Sequence, residues 1–285
     1  MSLITLENEY VKAVLNTHAG YVESLYSKKD GKEHAWQYDS SVWPRRTAVC
    51  FPLCGKCKDD SYTFSGKSYE LANHGFLRER DLKVEEQSSS RLVLSDEWDE
   101  TTLERYPFRY GYRIEYVLDG EKVNIFYHVT NLDGREMYYS TGSHYTYALP
   151  VNQKDAFLCF EKKESAGVFS QTDGLLHSDE LKGRDRVPLR GLIDNSSFIL
   201  DLTSLKSSWV GLGDGKDVYT RVSGNGFRYL IVWAPVGGNN DFTCIEFWDG
   251  MGHVETASSE LEEKFAIRSL SSGETRTYLQ TVYLA

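Results

Sequence analysis

The chain has 285 residues, with 42 acidic against 32 basic side chains for a net charge of −10, and 40% of it is hydrophobic. This balance excludes a disordered chain, and it argues against nucleic acid or anionic lipid as the main partner, because both select a basic surface. Length alone allows two domains, yet all-β folds of this size are common as one unit, and a chain this long buries a large core without disulfide staples.

The opening MSLITLENEY has no basic segment followed by an apolar one, so no secretory signal is expected. Period-2 alternation then predicts strands at Tyr10–Leu15, Tyr21–Tyr26 and Arg91–Leu94. The clearest local pattern lies between Phe108 and Asn131. Tyr110, Tyr112, Ile114, Tyr116 and Leu118 alternate with charged or small residues, Asp119-Gly120 follows, and Val123, Ile125, Tyr127 and Val129 alternate again. This predicts a hairpin closed by a type I′ turn. Further strands are expected at Trp209–Leu212, Tyr229–Trp233 and Thr277–Leu284, and Thr256–Lys264 reads as a short helix or an acidic loop. The longest apolar run, Tyr229 to Val236, is far below the ~20 residues of a membrane helix. With no linker or repeat, residues 1–285 are expected to form one all-β domain.

Most familiar chemistries are absent. There is no HExxH and no GxSxG, and Gly211–Lys216 lacks phosphate-loop spacing and reads as a turn. Cys54 and Cys57 form a lone CxxC without a second ligand pair, so no metal site is expected. Five cysteines, an odd number in a long chain, fit a reducing cytoplasm. The Asn195-Ser196-Ser197 sequon has no meaning there. The acidic runs Asp96–Glu100 and Glu260–Glu263 are expected to be solvated faces.

Three polar residues stand in unusual settings. His74 precedes Gly75, where a glycine allows close approach; His144 follows Thr141-Gly142-Ser143; and Glu246 interrupts the apolar run Cys244-Ile245-Glu246-Phe247-Trp248. Alternation puts Cys244, Glu246 and Trp248 on one face and Ile245 and Phe247 on the other. An unpaired carboxylate there has a raised pKa, which suits a general base. Each residue alone also has a bland reading, as a hydrogen-bonded structural histidine or a solvent-facing glutamate.

The order of these motifs resembles the galactose mutarotase-like (aldose 1-epimerase) family, and within it the LacX-like branch. The resemblance runs through Trp43-Pro44-Arg45-Arg46, Phe51-Pro52-Leu53-Cys54-Gly55-Lys56, Tyr62–Tyr69, His74-Gly75-Phe76-Leu77-Arg78, Tyr106-Pro107-Phe108, Asn131, Gly142-Ser143-His144, Ile231-Val232-Trp233, Cys244–Trp248 and Gly273-Glu274. It implies a large antiparallel β-supersandwich with a cleft for a pyranose sugar, working without a cofactor. On this resemblance Glu246 falls on the general base, His144 on the general acid and His74 on a second cleft histidine. Arg78 and Trp248 are candidate substrate contacts. Lys56 stands where the family has a substrate-binding arginine, which keeps the charge and loses the planar fork. Asp201, or less closely Asp194, matches the substrate-binding aspartate, and Tyr145 replaces a common proline.

The function expected is interconversion of the α and β anomers of a hexose by a cytoplasmic monomer or weak homodimer. A hexose-6-phosphate mutarotase is an alternative, for which Arg45, Arg46, Arg78 and Arg80 offer cations. A non-catalytic carbohydrate-binding protein on the same fold is another. A glycosidase is more remote, since only one carboxylate has a distinctive setting.

Overall fold

The aromatic residues that alternate between Phe108 and Asn131 form the centre of a sheet. In the computed structural model, which describes residues 1–43, 49–149, 151–172, 175–193, 197–235, 241–254 and 258–284, the strands Tyr110–Asp119 and Lys122–Asn131 pair antiparallel in continuous register. Their alternating tyrosines, isoleucines and valines all point into the core. The turn differs from expectation. Asp119 pairs with Lys122, so the loop is Gly120-Glu121, and only Gly120 has positive φ, at 57°. Positive φ at the first loop position alone is the type II′ pattern, in which glycine leads the turn rather than following aspartate.

Among the described residues this hairpin belongs to a nine-stranded sheet. From one edge its order is Arg184–Pro188, Phe157–Glu164, Val210–Gly213, Val218–Asn225, Thr275–Tyr283, Lys122–Asn131, Tyr110–Asp119, Arg91–Glu97 and Lys83–Gln87. A second, eight-stranded sheet runs Leu175–Glu180, Gly167–Thr172, Phe198–Asp201, Tyr229–Trp233, Phe242–Asp249, Thr141–Ser143 and Val49–Cys50, with Tyr145–Ala148 also on Phe242–Asp249. A four-stranded sheet, Leu3–Glu7 through Lys32–Glu33, packs Ile4, Leu6, Val11 and Leu15 into the main core cluster.

The two large sheets share one core. Leu230, Val232, Ile245 and Phe247 join the hairpin's inward residues and Tyr278 in a single cluster that runs from Ile4 to Leu284. Its buried tyrosines need hydrogen-bond partners and find them across the sandwich. Tyr127 donates to Tyr145 (2.9 Å), Tyr112 meets Thr141 (2.8 Å), and Gln280 donates to Tyr147 (2.8 Å). These bonds fix the second sheet over the first and so fix what its outer face presents.

The acidic run at Asp96–Glu100 is not simply solvated. Asp96 is buried, accepts from Tyr110 at 2.6 Å, and shares Arg80 with Asp99. Asp99 also caps the short helix Glu100–Leu103, which no stripe of residues foretold. Gly211–Lys216 ends a strand and turns, with Asp214 accepting from Lys216 and Asp217. In the Thr256–Lys264 stretch, Thr256 and Ala257 lie outside the described residues, and Leu261–Glu263 is a 3-10 turn. Asn195-Ser196 and Asp194 also lie outside them. All five cysteines are buried free thiols. Among the described residues no helix is long and apolar enough to cross a membrane.

Candidate active site

The strand Phe242–Asp249 is buried along its whole length and has two chemically different faces. Ile245 and Phe247 point into the main core, as alternation requires. Cys244, Glu246 and Trp248 point the other way, beside Trp233, Ile231 and Tyr229 of the neighbouring strand, with which they pair. On the opposite side Gly142 pairs with Trp248 and Tyr145 with Ile245. That register sets His144 directly across from Glu246, on the same face. Gly142 has to lack a side chain, since a Cβ there would lie 2.4 Å from Cδ1 of Trp248. Ser143 adds a bond from the Phe247 N–H to its hydroxyl, 3.1 Å.

His144 Nε2 and Glu246 Oε1 stand 3.4 Å apart, both side chains almost wholly out of solvent. The other acid near the end of this strand shows the contrast. Asp249 is gripped by Arg268 and accepts from Tyr278, whereas Glu246 has no cationic lysine or arginine partner among the described residues, and its Oε2 is buried and unpartnered. Burial therefore raises the Glu246 pKa well above the ordinary carboxylate value, and the Cys50 thiol adds to the rise. Burial lowers the His144 pKa to about 3, with the Arg78 charge acting in the same direction. The sequence reading anticipated the raised carboxylate. The resemblance makes His144 the general acid, and burial makes the neutral ring its resting form.

His74 sits in a backbone conformation that favours glycine, φ 65°, and Gly75 follows at φ 75°. A Cβ on Gly75 would lie 2.1 Å from the Phe51 carbonyl oxygen, so the loop presses against the strand beside it. The Gly55 N–H donates to His74 Nδ1 at 3.2 Å, and the Cys50 thiol lies 3.2 Å from the same nitrogen. Nδ1 is thus an acceptor, which puts the ring proton on Nε2. The His74 ring meets His144 edge-on, centroids 5.0 Å apart, and Trp248 at 5.4 Å.

A cleft of about 1460 Å³ opens above these groups, and His74, His144, Glu246 and Trp248 all line it. Lys56 and Arg78 line it too. Lys56 is largely exposed, with its ammonium 3.3 Å from Asp60. Asp201 does not line the cleft. Its carboxylate caps the turn Leu202–Ser204 and lies 3.4 Å from Arg228, so a local capping role occupies it. Arg80, one of the cations considered for a phosphate, is committed to Asp96 and Asp99; Arg45 and Arg46 lie outside the described residues.

Trp43, Arg105 and Asn73 are among the lining residues not singled out from sequence. Trp43 lies nearly parallel to His144, centroids 5.8 Å apart and planes at 18°. Arg105 reaches the rim after a long detour in sequence, and Asn73 presents a buried, unpartnered Oδ1. Two of them carried a signal, Asn73 by its place directly before His74 and Trp43 by opening the Trp43-Pro44-Arg45-Arg46 motif.

The family model described as aldose 1-epimerase matches residues 2–189, and the chain belongs to that family. It is 29% identical over 283 residues to protein LacX of Lactococcus lactis subsp. lactis, covering 92% of each chain. Its fold is similar to that of a galactose mutarotase related enzyme from Lactobacillus acidophilus, with TM-score 0.92, 24% identity and coverage of 100% and 97%. A galactose mutarotase-like protein from Lactobacillus casei ATCC 334 gives TM-score 0.89 at 25% identity, with both chains fully covered.

Proposed function

We propose that the protein is an aldose 1-epimerase-type isomerase that interconverts the α and β anomers of a hexose, with Glu246 and His144 as its proton-transfer pair. One observation carries this reading: a buried carboxylate and a buried imidazole, 3.4 Å apart, on the floor of an open cleft. Anomer interconversion moves protons at two oxygens of one carbon, the C1 hydroxyl and the ring oxygen. Two such oxygens are served by groups that lie side by side, not by groups on opposite walls.

The pair holds one proton between its members. Burial favours its residence on Glu246, since Glu246 is shifted up and His144 down. Sugar hydroxyls entering the cleft add hydrogen bonds that favour the charged forms, and transfer across the contact yields carboxylate and imidazolium. Glu246 then takes the proton from the C1 hydroxyl while the bond between C1 and the ring oxygen breaks. The electron pair goes to the ring oxygen, which takes the His144 proton. Rotation about C1–C2 presents the other face of the aldehyde, and closure reverses each transfer. His74, with its proton on Nε2, is a donor for the sugar, and Trp248 and Trp43 offer flat surfaces to it.

Lys56, Lys58, Arg78 and Arg105 on the cleft lining favour, as a second reading, a 6-phosphorylated hexose. Asp59, Asp60 and Glu70 on the same lining oppose it. An anomer-exchange screen by NMR over free and 6-phosphorylated hexoses separates the two. Exchange with neither class, alongside measurable sugar binding, would leave a non-catalytic binding protein.

A further inference from the structure

We propose that His144, Cys244 and Glu246 form a binding site for a zinc-class divalent cation. The signal is invisible as sequence spacing, because the three residues come from facing positions on two strands. Cys244 and Glu246 are two apart on one strand and so share a face, and His144, between the strands Thr141–Ser143 and Tyr145–Ala148, stands opposite Glu246. One ligand atom from each lies within 4.8 Å of the other two, and all three side chains are buried.

The donor set selects the ion. Thiolate, imidazole and carboxylate together suit zinc or cobalt(II), whereas magnesium and calcium take oxygen donors. Donors around one tetrahedral ion, at about 2.0–2.3 Å from it, stand about 3.3–3.8 Å from one another. The His144–Glu246 pair is already at 3.4 Å, and with all three ligand atoms within 4.8 Å of one another the Cys244 sulfur has at most about an ångström to move to complete the set. A second observation belongs to the same cluster: the buried Glu246 Oε2 has no hydrogen-bond partner. Three protein donors leave a fourth position open, and the cleft that His144 and Glu246 line provides the route of entry. Binding releases the protons that the thiol and the carboxyl carry.

A cation held here engages both members of the proton-transfer pair and blocks it. That consequence rests on the proposed isomerase reading; the binding itself does not. Cobalt(II), titrated into the metal-stripped full-length protein, reads the site directly. Expected is a thiolate-to-cobalt absorption band that saturates at one equivalent and is discharged by zinc. It should survive Cys159→Ala and vanish in Cys244→Ala. His144→Ala, a second variant should Cys244→Ala not fold, should weaken cobalt binding by at least about 100-fold, since even partners behind a ligand are worth 10- to 100-fold. No band, or a band that persists in Cys244→Ala, overturns the site. A band with no anomer exchange in metal-free buffer keeps the site and defeats the isomerase reading.

Discussion

His144 faces Glu246 across two adjacent antiparallel strands, with 3.4 Å between Nε2 and Oε1, although the two are about a hundred residues apart in sequence. The strand pairing sets this distance, and so the residues that hold the register control the chemistry. Gly142 is the most exposed to test. A Cβ there would lie 2.4 Å from Trp248 Cδ1 and 2.9 Å from the Phe247 carbonyl oxygen, and the backbone atom cannot give way. Gly142→Ala should destabilise the fold by about 1–3 kcal/mol, the usual cost of overpacking a core. Urea denaturation measures it, and a shift in tryptophan emission should accompany it as Trp248 is displaced.

Arg78 and Arg80 are two residues apart and do different work. Arg78 lines the cleft, while Arg80 is bound to the buried Asp96 and to Asp99. Removing Arg80 leaves Asp96 with the Tyr110 hydroxyl alone. Arg80→Met is therefore expected to cost roughly 1–4 kcal/mol of stability, with the sugar KM unchanged. Arg78→Met should instead raise KM, because Arg78 lines the cleft. Denaturation and steady-state kinetics on both variants distinguish the two positions, and the reverse pattern would contradict the assignment.

Acid should weaken the fold through its buried histidines. His34 is buried, with Nδ1 2.8 Å from the Thr220 hydroxyl, and burial lowers its pKa below the ordinary 6.5. Asp30 and Glu33 oppose that shift, and Lys32 adds to it. Below about pH 6.5 the unfolded chain takes up a proton that the folded chain refuses. Stability present above 6.5 is then lost as the pH falls below it. His34→Gln, which can still bond to Thr220, should narrow the difference in denaturation midpoint between pH 7 and pH 5. His144 contributes in the same sense and remains in that variant as an internal reference.

Local periodicity made much of the fold legible, and long-range pairing supplied the rest. Alternation from Tyr110 to Val129 located two core strands and named their buried faces, because a half-buried strand writes its two faces into its sequence. It likewise separated Glu246 and Trp248 from Ile245 and Phe247. The turn type was misread, because which residue of Asp119-Gly120-Glu121 leads the loop is set by register. Asp201 was assigned to the cleft by resemblance, but a following Thr203 engages its carboxylate locally. The stacking of Trp43 on His144 and the resting neutrality of that histidine depend on tertiary burial, which no local pattern encodes.

The most direct test of the acid–base pair is anomer exchange of a turned-over hexose, followed by NMR, in wild type and Glu246→Gln under metal-free conditions. Removing a positioned general base costs about 10²- to 10⁴-fold. The account therefore expects exchange in Glu246→Gln to fall by that factor, with circular dichroism and sugar binding retained. Exchange at the wild-type rate in a folded Glu246→Gln protein would contradict it.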